Sequence, residues 1–252
     1  MSFDGEIVAI SGGGTGIGHA AATKFASRGA GVALIDIDPV VAADAAAQIN
    51  AEVGREAVSP FEADVSDADA VNAAFAAIAA DLGAPTVLYC NAGGTNPRDS
   101  RLATVPDDVL WTTLRRDLGG VWNCCRAALP GMVEAQRGAI VNASSMTALI
   151  GRDGADSYTA AKGAVASLTR SLAVEYAEAG IRVNAVAPGA TLSPRVRARL
   201  DAGKFPQRLL DRHLIGLLEP DDVANVVVFL ASAEARGLTG QVLAVDSGAS
   251  IS

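Results

Sequence analysis

No apolar run in the chain approaches the roughly 18 residues that a membrane-spanning helix requires. Met1–Gly5 carries no basic stretch ahead of a hydrophobic segment, so neither an anchor nor a secretory leader is expected. Cysteine is scarce. Cys90, Cys124 and Cys125 are the only three, an odd number that cannot all pair within one chain, and two of them are adjacent in a predicted helix. Reduced core thiols in a cytoplasmic protein are the expectation. Positive charge is short as well: 20 Lys and Arg stand against 28 Asp and Glu, a net charge of −8. Such a surface repels nucleic acid and anionic membranes at long range, which leaves small molecules as the expected partners. Internal repeats, low-complexity linkers and composition breaks are all missing. With 252 residues, half of them apolar, the chain suits one sizeable core rather than two full domains.

What is present is a rhythm. Short β-branched runs at 6–11, 31–36, 56–62, 87–91, 138–144, 182–188 and 242–246 alternate with Ala-rich helical stretches at 16–28, 40–53, 67–82, after Pro106, at 157–179 and at 220–231. Strands such as Ile7-Val8-Ala9-Ile10 and Val32-Ala33-Leu34-Ile35 are apolar throughout, so both their faces must be buried. The pattern predicts an α/β fold, a doubly wound parallel sheet flanked by helices. Only Gly189–Gly216 is irregular, rich in Arg and interrupted by Pro194, Gly203 and Pro206; a lid over a site is its expected role.

Directly after the first strand, and directly before a helix, comes Ser11-Gly12-Gly13-Gly14-Thr15-Gly16-Ile17-Gly18. A glycine turn there lets backbone N–H groups approach a pyrophosphate while the helix start adds partial positive charge, a role for Gly12, Gly16 and Gly18 with Thr15 and Ile17 beside them. The second strand ends at Asp36, followed by Ile37, about 20 residues beyond the glycines, where a carboxylate can accept hydrogen bonds from a ribose diol. Its charge would oppose the 2′-phosphate of NADP, and Thr15 offers no compensating cation, so NAD is the expected cofactor. Asp64 and Val65 after the third strand, and Asn91, Ala92 and Gly93 after the fourth, fall at strand ends where an adenine and ribose would rest. No metal site is expected.

Tyr158 and Lys162 stand four residues apart on a predicted helix, which puts phenol and ammonium on one face. A free tyrosine ionises near pH ~10 and serves as a base near neutrality only if a nearby cation holds its anion. With three tyrosines and three lysines in the chain, a chance Tyr-x-x-x-Lys has an expectation of about 0.04 by simple multiplication.

These residues, with Ser145 and Pro188-Gly189, make the chain resemble the classical short-chain dehydrogenases/reductases along nearly its whole length. The resemblance implies a Rossmann-type fold of seven parallel strands and a dimer or tetramer built on the long helices. It also implies NAD(H)-dependent interconversion of an alcohol and a ketone, with Tyr158 as acid/base and Lys162 also binding the nicotinamide ribose. Of Ser144 and Ser145, the second stands thirteen residues before Tyr158, at the family's catalytic serine. Pro188 and Gly189 would border the nicotinamide, and Ser193 takes the place where relatives touch the carboxamide. The 1–252 span is then one dinucleotide-binding catalytic domain, with 189–216 as its lid. A 3-oxoacyl-carrier reductase using NADPH is the alternative that Asp36 disfavours; a dinucleotide-binding protein that has lost turnover is the other.

Three positions depart from the family pattern. Asp117 stands where relatives carry an Asn that holds a proton-relay water; it is expected to act in the relay as an acceptor, draw on the charge of Lys162 and alter the pH optimum. Cys90 replaces a second Asn, and Ser247 stands where glycine is usual. In the 189–216 segment Arg195, Arg197, Arg199, Lys204, Arg208 and Arg212 face Asp201 and Asp211, a local positive excess expected chiefly to be a solvated face, with steering of an anionic substrate as the sharper reading. His19 is assigned no chemistry, and nothing ties His213 to a substrate.

Overall fold

A computed structural model describes residues 1–252. Its strands are β1 (Ile7–Ser11), β2 (Gly31–Asp36), β3 (Val58–Glu62), β4 (Val87–Cys90), β5 (Gly138–Ala143), β6 (Ile181–Pro188) and β7 (Val242–Val245). The helices are α1 (Gly16–Ala26), α2 (Pro39–Val53), α3 (Ala68–Asp81), α4 (Asp107–Leu114), α5 (Gly120–Glu134), α6 (Asp156–Glu175), α7 (Pro194–Asp201), α8 (Gln207–Asp211) and α9 (Pro220–Ala231). All seven strands pair in parallel, in the order β3-β2-β1-β4-β5-β6-β7. The period of two splits each strand between two cores. Val8 and Ile10 of β1 pack with α1, α2 and α9, whereas Ala9 packs with α3, α5 and α6.

Local chemistry sets most element ends. Asp38 and Asp67 cap α2 and α3 by accepting from backbone N–H groups of the first turn, and Gly54 closes α2 in the left-handed conformation. Pro220 opens α9, where Glu219 and Asp222 form a reciprocal capping box.

The structure differs from the expectation in two places. The long helix after Pro106 is interrupted by a π-helical turn at Arg115–Gly119, which turns Asp117 inward. In the 189–216 segment, Pro194 is the first residue of α7 and Pro206 caps α8, so two of the residues read as interruptions begin helices instead.

Cys90, Cys124 and Cys125 are free and buried, with Cys90 Sγ and Cys125 Sγ 4.0 Å apart. Hydrogen bonding to the other two thiols, with burial, pushes the Cys90 thiol well up, which leaves it protonated and inert. Ser247 takes φ 54°, the left-handed region in which an L-residue is strained by about 1–2 kcal/mol. The glycine usual there answers a backbone requirement.

Candidate active site

The strand order reverses between β1 and β4, and a crevice opens where their carboxyl ends part. Ser11 Oγ accepts from the N–H groups of Asn91 and Ala92 at 3.1 and 3.3 Å, and Asn91 Nδ2 donates to the Gly12 carbonyl at 2.8 Å. The glycine turn is thereby pinned to the end of β4. Gly12 sits at φ 63°, and a Cβ there would lie 2.8 Å from Ala92 Cα, so no other residue fits. Gly18 lets α1 pack directly on the carbonyl of Gly12.

The start of α1 has neither the side-chain cap of α2 and α3 nor the first-turn acidic residues of α3 and α9. Uncapped N–H groups and the helix dipole at the mouth of a cleft form an anion site, which fits a dinucleotide pyrophosphate. Asp36 lies beside it: Oδ2 accepts from Gly14 N at 3.0 Å and Oδ1 from Asp38 N at 3.3 Å, which fixes the carboxylate at the cleft edge. Ile37 next to it is 63% exposed.

The cleft encloses about 630 Å³. Gly12, Thr15, Gly16, Ile17, Asp36, Ile37, Asp64, Val65, Asn91, Ala92, Gly93, Pro188, Gly189 and Ser193 all line it, and Gly18 alone of the expected cofactor residues does not. Ser145, Tyr158 and Lys162 line the same cleft at its other end.

On α6, Lys162 Nζ lies 5.7 Å from the centroid of the Tyr158 ring and donates to the Ala143 carbonyl at 2.8 Å, so β5 holds the ammonium in place. Lys162 is 3% exposed. The two serines after β5 are distinct in their bonding. Ser144 Oγ donates to the Lys162 carbonyl at 3.0 Å, whereas Ser145 Oγ accepts from Thr147 N at 3.2 Å and keeps its own proton free to donate. Asp99, absent from the sequence reading, accepts from Ser157 N and Tyr158 N at 3.3 and 3.0 Å and so caps the start of α6 beneath the tyrosine. Asp156 returns the favour by accepting from Leu102 N at 2.7 Å.

Asp117 departs from the expectation. Its side chain is fully buried behind the wall of the cleft, where Oδ1 accepts from Gly94 N at 2.9 Å and the Arg116 guanidinium bonds both oxygens at 3.1 Å. Arg116 also donates to the Gly94 carbonyl. A Cβ on Gly93 would lie 2.1 Å from Asp117 Oδ1 and 3.4 Å from Lys162 Nζ, so the two charges border that glycine within a few ångströms of each other, although the ion pair that Asp117 makes is with Arg116. Arg116 pairs with the carboxylate directly, and Lys162 Nζ lies close by without a direct contact. Asp117→Ala, which strips Gly94 N of its acceptor and Arg116 of its carboxylate, is expected to destabilise the fold by about 2–4 kcal/mol. Asp117→Asn, which keeps an oxygen for Gly94 N, should cost about half of that or less. Urea unfolding of the two variants checks the difference, and equal losses would count against it.

His213 is placed away from chemistry: its Nε2 accepts from Ala190 N at 2.9 Å and its Nδ1 faces the Leu209 carbonyl at 2.6 Å, so it ties α8 to the end of β6. His19, at the first turn of α1, is half-buried, and burial lowers its pKa. The lid arginines divide. Arg197 pairs with Glu219 and Arg208 with Asp153 on the surface, whereas Arg195 and Arg199 line the cleft together with Arg152, which the sequence reading did not single out.

A dinucleotide cradle at one end of a cleft and a Ser, Tyr and Lys set at the other define a nicotinamide-dependent oxidoreductase of Rossmann architecture. Residues 12–250 match the model of a family described as enoyl-(acyl carrier protein) reductase. A cis-4-hydroxycyclohexanecarboxylate dehydrogenase of Sinomonas cyclohexanicum is 40% identical over 98% of this chain and 97% of its own length. The crystal structure of a 3-oxoacyl-[acyl-carrier protein] reductase from Brucella melitensis with bound NAD superposes with a TM-score of 0.89 at 32% identity, over 100% of this chain and 93% of that one. ElxO with NADP bound gives a TM-score of 0.91 at 31% identity, covering 97% and 98%. The chain belongs to the short-chain dehydrogenase/reductase family, and it is an oxidoreductase that interconverts an alcohol and a ketone.

Proposed function

We propose that this protein is an NAD-dependent secondary-alcohol dehydrogenase in which Tyr158 is the acid/base. The observation that carries the reading is the buried Lys162 ammonium 5.7 Å from the Tyr158 ring, in the same cleft as the glycine turn and Asp36. NAD+ supplies the hydride acceptor when bound. Ser145 donates a hydrogen bond to the substrate oxygen, and the Tyr158 phenolate accepts the hydroxyl proton as the carbon-bound hydrogen leaves with its electron pair and C=O forms. Lys162, held by Ala143, stabilises that phenolate and binds the nicotinamide ribose. Donors already aimed at the substrate oxygen need no reorganisation when charge develops there. Pro188, Gly189 and Ser193 hold the nicotinamide, Asp64 and Val65 the adenine end, and Asp36 the adenosine ribose diol.

Residues 189–216 act as the lid in this reading, because α7, α8 and the residues flanking them bring Ser193, Val196, Phe205 and Leu209 to the cleft. A dimer or tetramer built on the long helices is proposed with it. Trp111 on α4, Trp122 on α5 and Val174 on α6 are 58%, 54% and 81% exposed, apolar side chains on those helices that a second copy would cover. Cytoplasmic residence suits the three unpaired thiols.

Absorbance of NADH tests the reading directly. Incubated with NAD+ and a panel of secondary alcohols, cyclic diols, sugars and hydroxy acids, the protein is expected to form NADH with at least one class. NADH binding with no turnover across the panel would sink it.

A further inference from the structure

Charge is distributed unevenly along the cleft. Its only acidic lining residues are Asp36 and Asp64, both at the adenosine end, while Arg116, Arg152, Arg195 and Arg199 surround the end that holds Tyr158. In a chain of net charge −8 this is a local reversal. Two of the four are already engaged: Arg116 with Asp117, and Arg195 with the Thr95 carbonyl at 3.3 Å.

Arg152 and Arg199 are not. Neither guanidinium donates a hydrogen bond or lies within 4.0 Å of a carboxylate, by the distances that define the ion pairs of this fold. The acids nearby have other work. Asp99 acts on Arg152 only at a distance, since its oxygens cap α6; Asp153 pairs with Arg101 and Arg208; Glu219 pairs with Arg197. Arg152 is partly withdrawn from water, and its pKa is lowered first by that burial; Tyr158 and Asp99 oppose the shift, while the positive charges of Arg199 and Arg208 add to it. Two like charges that converge on a cleft without a counter-ion are unfavourable until a ligand brings one. Arg199 is exposed on the cleft side of the lid, and each guanidinium is a planar, two-pronged donor that matches a carboxylate.

We infer that Arg152, from the loop before α6, and Arg199, from lid helix α7, form the anion-binding end of the substrate site, so that the alcohol oxidised at Tyr158 is a hydroxy acid. Met146, Val196, Phe205 and Leu209 line the same end of the cleft and would pack on an apolar spacer between the carboxylate and the reacting carbon. Because Arg199 rides on the lid, binding the carboxylate would also draw that segment over the site. The word substrate rests on the reading of Tyr158 given above; the anion site is measured apart from it.

Calorimetric titration of cyclohexanecarboxylate into the protein saturated with NADH reads the site without turnover. One carboxylate is expected to bind per chain, at least tenfold more tightly than its methyl ester. Arg152→Gln and Arg199→Gln should each weaken the carboxylate about tenfold, with NADH affinity within about twofold as the control for folding. No carboxylate binding, equal affinity for acid and ester, or binding indifferent to both substitutions would overturn the proposal. Turnover is then followed with 4-hydroxycyclohexanecarboxylate and its methyl ester: acid preferred over ester through KM supports the site. Carboxylate binding that depends on both arginines, in a protein that oxidises no alcohol, would remove the dehydrogenase reading and leave the anion site standing.

Discussion

Tyr158→Phe is expected to lower kcat by about 10²–10⁴-fold, the usual span for loss of a general acid/base, while NADH binding is retained. The phenol oxygen is the one group at that end of the cleft able to accept a proton from the substrate. Lys162 already donates to Ala143, Arg116, Arg152, Arg195 and Arg199 are donors only, and His213 lies outside the lining with its Nε2 lone pair taken by Ala190. Removing one oxygen from a half-exposed ring leaves α6, its Asp99 cap and the glycine turn unaltered, so the cofactor end should not register the change. Steady-state NADH formation, with fluorescence titration of NADH as the second readout, separates the two effects. Turnover within tenfold of the parent protein would remove Tyr158 from the reaction.

The second large effect concerns the cofactor. Asp36→Asn keeps an oxygen to accept from Gly14 N at the 3.0 Å position, gives up the acceptor for Asp38 N, and removes the charge that the proposed reading sets against the adenosine ribose. A charge-assisted hydrogen bond is worth about 1.5–3 kcal/mol, so kcat/KM for NAD should fall about tenfold to a hundredfold. Repulsion of a 2′-phosphate disappears at the same time, and kcat/KM for NADP should rise by about tenfold or more. The preference therefore moves by about two to three orders of magnitude. Ile37→Arg added to it places a cation on an exposed neighbouring side chain and should complete the inversion. A parent protein already using both cofactors equally, or an Asp36→Asn variant with the parent's preference, would refute the assignment of NAD.

Much of this site is local in the chain and was legible there. The glycine turn sits between the first strand and helix, Asp36 ends the next strand, and Tyr158 and Lys162 are one helical turn apart; each depends on neighbours within a few residues or on one βαβ unit. Other features lie between elements. Asp99 reaches Tyr158 N across 59 positions, and the Asp117 carboxylate reaches Gly94 N across 23, neither of which any periodicity signals. That Asp117 lies near Lys162 follows the family pattern; that the π-helical turn buries its carboxylate and the adjacent Arg116 pairs with it does not.

From composition and order of residues alone came the parallel sheet, the dinucleotide turn and the Tyr–Lys pair, because hydrophobic period, glycine placement and i, i+4 spacing act over one turn or one strand. Only the folded chain decided which charges are spent. Six lid cations looked alike in the sequence, yet Arg197 and Arg208 found carboxylates and Arg199 did not. Neutralisation is a matter of distances of a few ångströms between segments far apart in the chain, and those distances exist only once the elements have packed.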